Sequence, residues 1–200
     1  MIAIIRHVPT DVLEGVVFAL IEAGVRVFEV ALNSRDALTQ LRLLRKYSIC
    51  LGAGTVLNEE SATAAIDAGA DFLFSPIRAS FLLPLCRERG VLGIPGGLTP
   101  SEIYDLHKQG AVFVKVFPAS TGGARHIAEV LAPLENLKLI PTGGVNLQTA
   151  EEFLEAGAAA LAVGSGIVDP RLITSGMFSE IANRGRQFVE KTRSFARADH

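Results

Sequence analysis

Residues 21–32 read IEAGVRVFEVAL, and the phrase returns as IDAGADFLFSP (66–76), KQGAVFVKVFP (108–118) and LEAGAAALAVGS (154–165). Each copy is a helix end, then a glycine, then a run of apolar, strand-forming residues. Gly24, Gly69, Gly110 and Gly157 stand where a helix closes on a left-handed residue before the chain turns. The repeated unit is therefore a helix-to-strand joint.

Working outward from these joints, the pattern predicts strands near 2–6, 25–32, 49–56, 72–76, 91–96, 112–118, 137–143 and 160–165. Helices fall between them, with cap residues ahead of amphipathic runs: Thr10, Asn58, Thr99 followed by Pro100, and Asn146. A final polar helix is expected over about 177–197. Eight strands alternating with eight helices, joined by short connections with no linker, predict one domain over residues 1–200: a closed parallel (β/α)8 TIM barrel. In that fold the reactive side chains converge at the C-terminal ends of the strands.

Bulk properties narrow the partners. The 200-residue chain is 49% hydrophobic with a net charge of −2, enough apolar residue for a sizeable core and no basic stripe for nucleic acid. The N-terminus lacks a basic segment and a cleavage site, and no run reaches membrane-spanning length, so a cytoplasmic protein without membrane partners is expected. Cys50 and Cys86 have no metal spacing and read as free core thiols. The mean hydropathy of +0.36 hints at apolar surface covered by further copies of the chain.

At the predicted strand ends stand Arg6, Glu29, Asn33, Thr55, Ser75, Pro76, Pro95, Gly96, Lys115, Phe117, Thr142, Gly143, Gly144, Gly164 and Ser165. Lys115 is the anomaly. The other four lysines (46, 108, 138 and 191) fall on helix ends or polar faces, whereas Lys115 lies within FVKVF. Strand alternation puts it on one face with Phe113 and Phe117, toward either the barrel or the helices. Burying an unpaired ammonium costs several kcal/mol, on the order of that for any buried ion. A protein escapes by pairing the charge, lowering its pKa, or using the amine as a nucleophile.

Glu29, in VRVFEVAL, repeats the anomaly on the second strand. It suits either a structural partner of Lys115 or a proton shuttle. Arg6, closing IAIIR, offers a forked cation to a carboxylate or to a structural ion pair. Thr55 ends GAGT, which fits no dinucleotide fingerprint and offers a hydroxyl to substrate. The turns PTGG (Pro141, Thr142, Gly143, Gly144) and VGSG (163–166, with Ser165) follow the seventh and eighth strands, where barrels often bind phosphate. His7, His107, His126 and His200 are scattered and unpaired, so no metal is expected.

In order along the chain, VFEVALNS, LGAGTVLN, SP at 75–76, IPGG, VKVFPAS, IPTGGVN and AVGSGIV resemble the 2-keto-3-deoxy-6-phosphogluconate and 2-keto-3-deoxy-6-phosphogalactonate aldolases, from Ile2 to about Val168. This resemblance implies a class I, Schiff-base enzyme that releases pyruvate and glyceraldehyde 3-phosphate, with 4-hydroxy-2-oxoglutarate as a second substrate. It implies Lys115 as the imine-forming lysine and Glu29 as the general acid/base. It also implies Thr55, Pro76 and Phe117 around the pyruvyl group, and Gly143, Gly144 and Ser165 at the phosphate. No metal or organic cofactor is implied, and a homotrimer is.

Two departures from the family's pattern stand out. Asn33, in LNS as in galactonate-type relatives, occupies a position where gluconate-side relatives carry an arginine, leaving Arg6 for the substrate carboxylate. The chain also begins almost in the first strand, where relatives often carry a helix over the barrel floor, so a different floor closure is expected. A phosphosugar isomerase or epimerase, or a non-catalytic phosphosugar-binding barrel, would also want the two glycine turns. Neither has a special use for the Lys115 and Glu29 pairing.

Overall fold

The four joints are built as the sequence predicts. In a computed structural model that describes residues 1–198, Gly24, Gly69, Gly110 and Gly157 all have φ between +91° and +97°. At the first, Gly24 N–H donates to Ile21 O and Val25 N–H to Leu20 O, at 2.9 and 3.0 Å. That double bond pattern satisfies the last helical carbonyls while redirecting the chain into a strand.

The elements run β1 (Ile2–Ile5), α1 (Thr10–Glu22), β2 (Val27–Ala31), α2 (Ala37–Leu44), β3 (Cys50–Gly54), α3 (Glu59–Asp67), β4 (Phe72–Phe74) and α4 (Leu82–Arg89). They continue with β5 (Leu92–Ile94), β6 (Gly96–Gly97), α5 (Pro100–Lys108), β7 (Val114–Val116), a 3-10 turn (Ala119–Thr121) and α6 (Gly123–Leu131). Last come β8 (Leu139–Pro141), α7 (Ala150–Glu155), β9 (Ala162–Val163), α8 (Pro170–Thr174) and α9 (Phe178–Ala198). Every strand pair is parallel.

Pairing divides into a six-stranded sheet, β5-β4-β3-β2-β1-β9, and a three-stranded sheet, β6-β7-β8. The closed eight-stranded ring expected from the sequence thus appears as two parallel sheets in an α/β fold. The predicted strand 91–96 is split at Pro95, which has no N–H to give to a ladder. Its carbonyl still accepts from Lys115 N–H at 2.9 Å. A lone parallel bridge, Thr142 to Ala162, joins the end of β8 to β9.

Alternation along the strands sorts side chains into two cores. Ala3, Ile5, Phe28, Val30, Leu51, Ala53, Leu73, Val114, Val116 and Leu139 face outward into the layer of helices. Ile2, Ile4, Phe72, Phe74, Ile94, Ile140 and Ala162 form a second, inner cluster drawn from both sheets. Both sheets therefore curl around one lumen. Partly buried Val27, Phe113 and Ala160 pack against its lower end, and Lys138 Nζ stands 5.7 Å over the Phe113 ring. These side chains occupy the floor.

Caps match in part. Asn58 accepts from Ser61 N–H at 2.8 Å, and Thr99 with Glu102 completes a reciprocal capping box ahead of Pro100. Thr10 is instead the first residue of α1, behind Pro9, and its hydroxyl accepts from Gln40 Nε2. Asn146 is not the cap expected of it, since α7 begins at Ala150 behind Thr149; its side chain instead holds the turn ahead of the helix, accepting from Gln148 and Thr149 N–H. The last helix is less uniformly polar than its sequence suggests, since Ile181, Phe188 and Val189 are buried. Both cysteines are free, but Cys50 is exposed at the start of β3 rather than in the core. His200 lies outside the described residues.

Candidate active site

Lys115 and Glu29 both point into the lumen. Lys115 is 1% exposed and Glu29 fully buried, each flanked along its strand by residues that face the helices. Lys115 takes the inward position because Val114 and Val116 fill the helix-side core. Its Nζ stands 4.0 Å from the centroid of the Phe74 ring and 5.4 Å from that of Phe117. Among the described residues it makes no ion pair within 4.0 Å, in contrast to Lys46, Lys108 and Lys191, which pair on the surface.

Neither carboxylate oxygen of Glu29 has a hydrogen-bond partner. Burial pushes its pKa up, and the nearby Lys115 and Arg6 charges pull it partway back. Burial pushes the Lys115 amine down; Glu29 opposes this and Arg6 reinforces it. Desolvation leads in both cases, so both groups are driven toward their neutral forms. An amine driven toward its neutral form, coupled to a buried carboxyl group with no hydrogen-bond partner, has the chemistry for nucleophilic addition and proton transfer.

Arg6, Phe117, Thr142, Gly143, Gly144 and Ser165 line one cavity of about 240 Å³ at the C-terminal ends of the strands. The glycine pair turns with φ of +89° and +79°, a backbone that places N–H groups on a concave surface. Gly144 also packs so closely that an added Cβ would lie 2.7 Å from Ser120 Cβ. Thr142 is buried and its hydroxyl is spent on Ile140 O, which makes it a wall rather than a free donor. Ser165 is exposed at the rim.

Thr55 and Pro76 reach the same mouth from outside this cavity's lining. Arg6 donates to Thr55 Oγ1 at 3.2 Å. The Pro76 carbonyl packs against Gly96, the register partner of Lys115. Ser75 is buried and donates to Val56 O, a structural use. Asn33 is exposed.

Three contributors were not singled out by the sequence. Phe74 forms the floor under the amine and was legible only as one of many apolar strand residues. His7 lines the cavity with φ +54°, and its N–H donates to Ser34 Oγ at 2.9 Å. Ser34 thereby anchors the turn that carries Arg6. Among the described residues, no group of three or more His, Cys, Asp or Glu is arranged to hold a metal ion.

A lumen amine of lowered pKa, a buried carboxyl group and a glycine-lined cavity at the strand ends are the set of groups that an enzyme acting on carbonyl compounds would use. Comparison makes the assignment specific: the family model described as KDPG and KHG aldolase matches residues 1–184, and the chain belongs to that family of carbon–carbon lyases. A 2-dehydro-3-deoxy-phosphogluconate aldolase of Haemophilus influenzae is 32% identical over 174 residues, 86% of this chain and 82% of that protein. The solved "Native KDPGal structure" superposes with a TM-score of 0.89 at 26% identity, covering 98% of this chain and 95% of the other. A KDPG aldolase from Legionella pneumophila, solved with pyruvate captured as a covalent carbinolamine, gives 0.85 at 28% identity, with 92% of each chain covered.

Proposed function

We propose that this chain cleaves 2-keto-3-deoxy-6-phospho sugar acids of the gluconate or galactonate series to pyruvate and glyceraldehyde 3-phosphate, with 4-hydroxy-2-oxoglutarate, cleaved to pyruvate and glyoxylate, as a second substrate. The observation that carries this reading is Lys115: a buried amine on the lumen face of β7 with no ion-pair partner among the described residues. The neutral amine attacks the C2 ketone, and the carbinolamine loses water to give a protonated imine. Glu29, through a water molecule, supplies and removes the protons of these steps. Its two unpartnered oxygens suit that role.

A base then takes the C4 hydroxyl proton, the C3–C4 bond breaks, and its electron pair flows into the iminium to form the enamine. The aldehyde leaves as glyceraldehyde 3-phosphate. Protonation at C3 regenerates an imine, and water releases pyruvate and the free amine. Arg6, held by Thr55, binds the substrate carboxylate. Thr55, Pro76 and Phe117 surround the pyruvyl part, Thr142 walls the site, and Gly143, Gly144 and Ser165 take the phosphate.

The same reading treats the two sheets as one closed (β/α)8 barrel. It is supported by β5 and β6 being separated by Pro95 alone, by the Thr142–Ala162 bridge and by the shared inner cluster. The chain is then a single domain, working in the cytoplasm as a homotrimer. An isomerase or epimerase would use the glycine turns, but nothing in its chemistry calls for the buried amine.

The test is cleavage of the two 6-phosphorylated epimers by the purified chain in the presence of a chelator. Pyruvate and glyceraldehyde 3-phosphate should appear in equal amounts. No pyruvate from either epimer would reject the proposal.

A further inference from the structure

The lumen-facing positions of β3 are Gly52 and Gly54, and neither has the positive φ that would call for glycine. What they lack is space. A Cβ on Gly52 would lie 2.3 Å from atoms of the Phe72 ring, and a Cβ on Gly54 would collide with Oε1, Cδ and Cγ of Glu29. Glu29 pairs in register with Gly52, so its side chain leans along the strands to lie over Gly54, two residues nearer the mouth.

Gly54 in turn pairs with Phe74, whose ring lies under Lys115 Nζ. No hydrogen bond fixes the buried carboxylate. Shape is left to fix it, and the groove over Gly54 is where the chain provides the room.

We propose that Gly54 is a positioning residue. The side chain it lacks is a slot that seats the Glu29 carboxylate against β3, on the side of the lumen where the amine stands, and leaves the space between them to the keto acid. This rests on the reading of Glu29 as the proton-transfer group. The slot itself is a steric claim that can be tested apart from that reading.

The experiment compares Gly54→Ala, Glu29→Asp, the double variant and Glu29→Gln in the full chain, reading thermal midpoint, borohydride-trapped pyruvate adduct, and exchange of pyruvate methyl protons by NMR in D2O. Gly54→Ala should slow exchange by ~100-fold, the scale of losing an acid/base group, while the adduct still forms on long incubation. Shortening the carboxylate removes the collision, so the extra methyl in the double variant should cost little beyond Glu29→Asp alone, in midpoint and in exchange.

Exchange at the wild-type rate in Gly54→Ala, or costs that simply add, would overturn the slot. If Gly54→Ala fails to fold, a folded double variant supports the collision and an unfolded one contradicts it. Wild-type exchange in Glu29→Gln would instead reject Glu29 as the proton-transfer group, leaving the midpoint comparison to decide the slot.

Discussion

Lys115 Nζ sits 4.0 Å above the Phe74 ring, held between an aromatic face that attracts its charge and a burial that penalises it. A ring within about 6 Å of a cation contributes roughly 0.5–2 kcal/mol to the charged form. Desolvating a whole ion costs several kcal/mol. Burial therefore wins, and the amine is pushed down despite the ring.

The pH dependence of imine formation should follow the neighbours. Arg6 lowers the Lys115 pKa, so Arg6→Ala should move the midpoint of adduct formation to higher pH. Glu29 raises it, so Glu29→Gln should move the midpoint lower. Midpoints measured from initial rates of adduct trapping across pH check both, and shifts of the same sign in the two variants would contradict the electrostatics.

Stability should carry the same signature. The folded pKa of Glu29 lies above its ordinary 4.5, so the native state binds the proton more tightly than the unfolded chain. Its contribution is full below 4.5 and is lost as pH rises through the raised folded value. Thermal midpoints of the wild type should fall through that window relative to Glu29→Gln, which has no carboxyl group to desolvate. Parallel curves for the two proteins would show that no such shift exists.

The glycine turns should distinguish substrates by their phosphate. Gly144→Ala strains a backbone at φ +79° and drives a methyl group against Ser120, and Ser165→Ala removes a rim hydroxyl. Each should raise KM for the 6-phosphorylated substrate by ~10-fold or more, the scale of one hydrogen bond to a charged group. Cleavage of unphosphorylated 4-hydroxy-2-oxoglutarate should be nearly unchanged. Equal losses on both substrates would remove phosphate from that turn.

Much of this was legible in the sequence because the signals are local. The four glycine joints set the helix-to-strand rhythm, and a lysine and a glutamate among β-branched and aromatic residues marked the two anomalous groups, although alternation alone left Lys115 facing either the barrel or the helices. What was not legible depends on partners distant in sequence. Pro95 looked continuous with its strand until the ladder divided around it. Thr10 looked like a cap, but Pro9 takes the cap position, Thr10 begins the helix, and Gln40 donates to the threonine hydroxyl. Phe74 and Ser34 act only through Lys115 and His7, which the fold brings to them from 41 and 27 residues away.

The central claim is that the Lys115 amine forms an imine, and mass spectrometry tests it most directly. The chain is incubated with pyruvate, treated with borohydride, digested and sequenced. The account predicts one modified peptide, carrying a pyruvate less one oxygen atom on Lys115 and absent from Lys115→Ala. An unmodified Lys115, or full aldolase activity in Lys115→Ala, would contradict it.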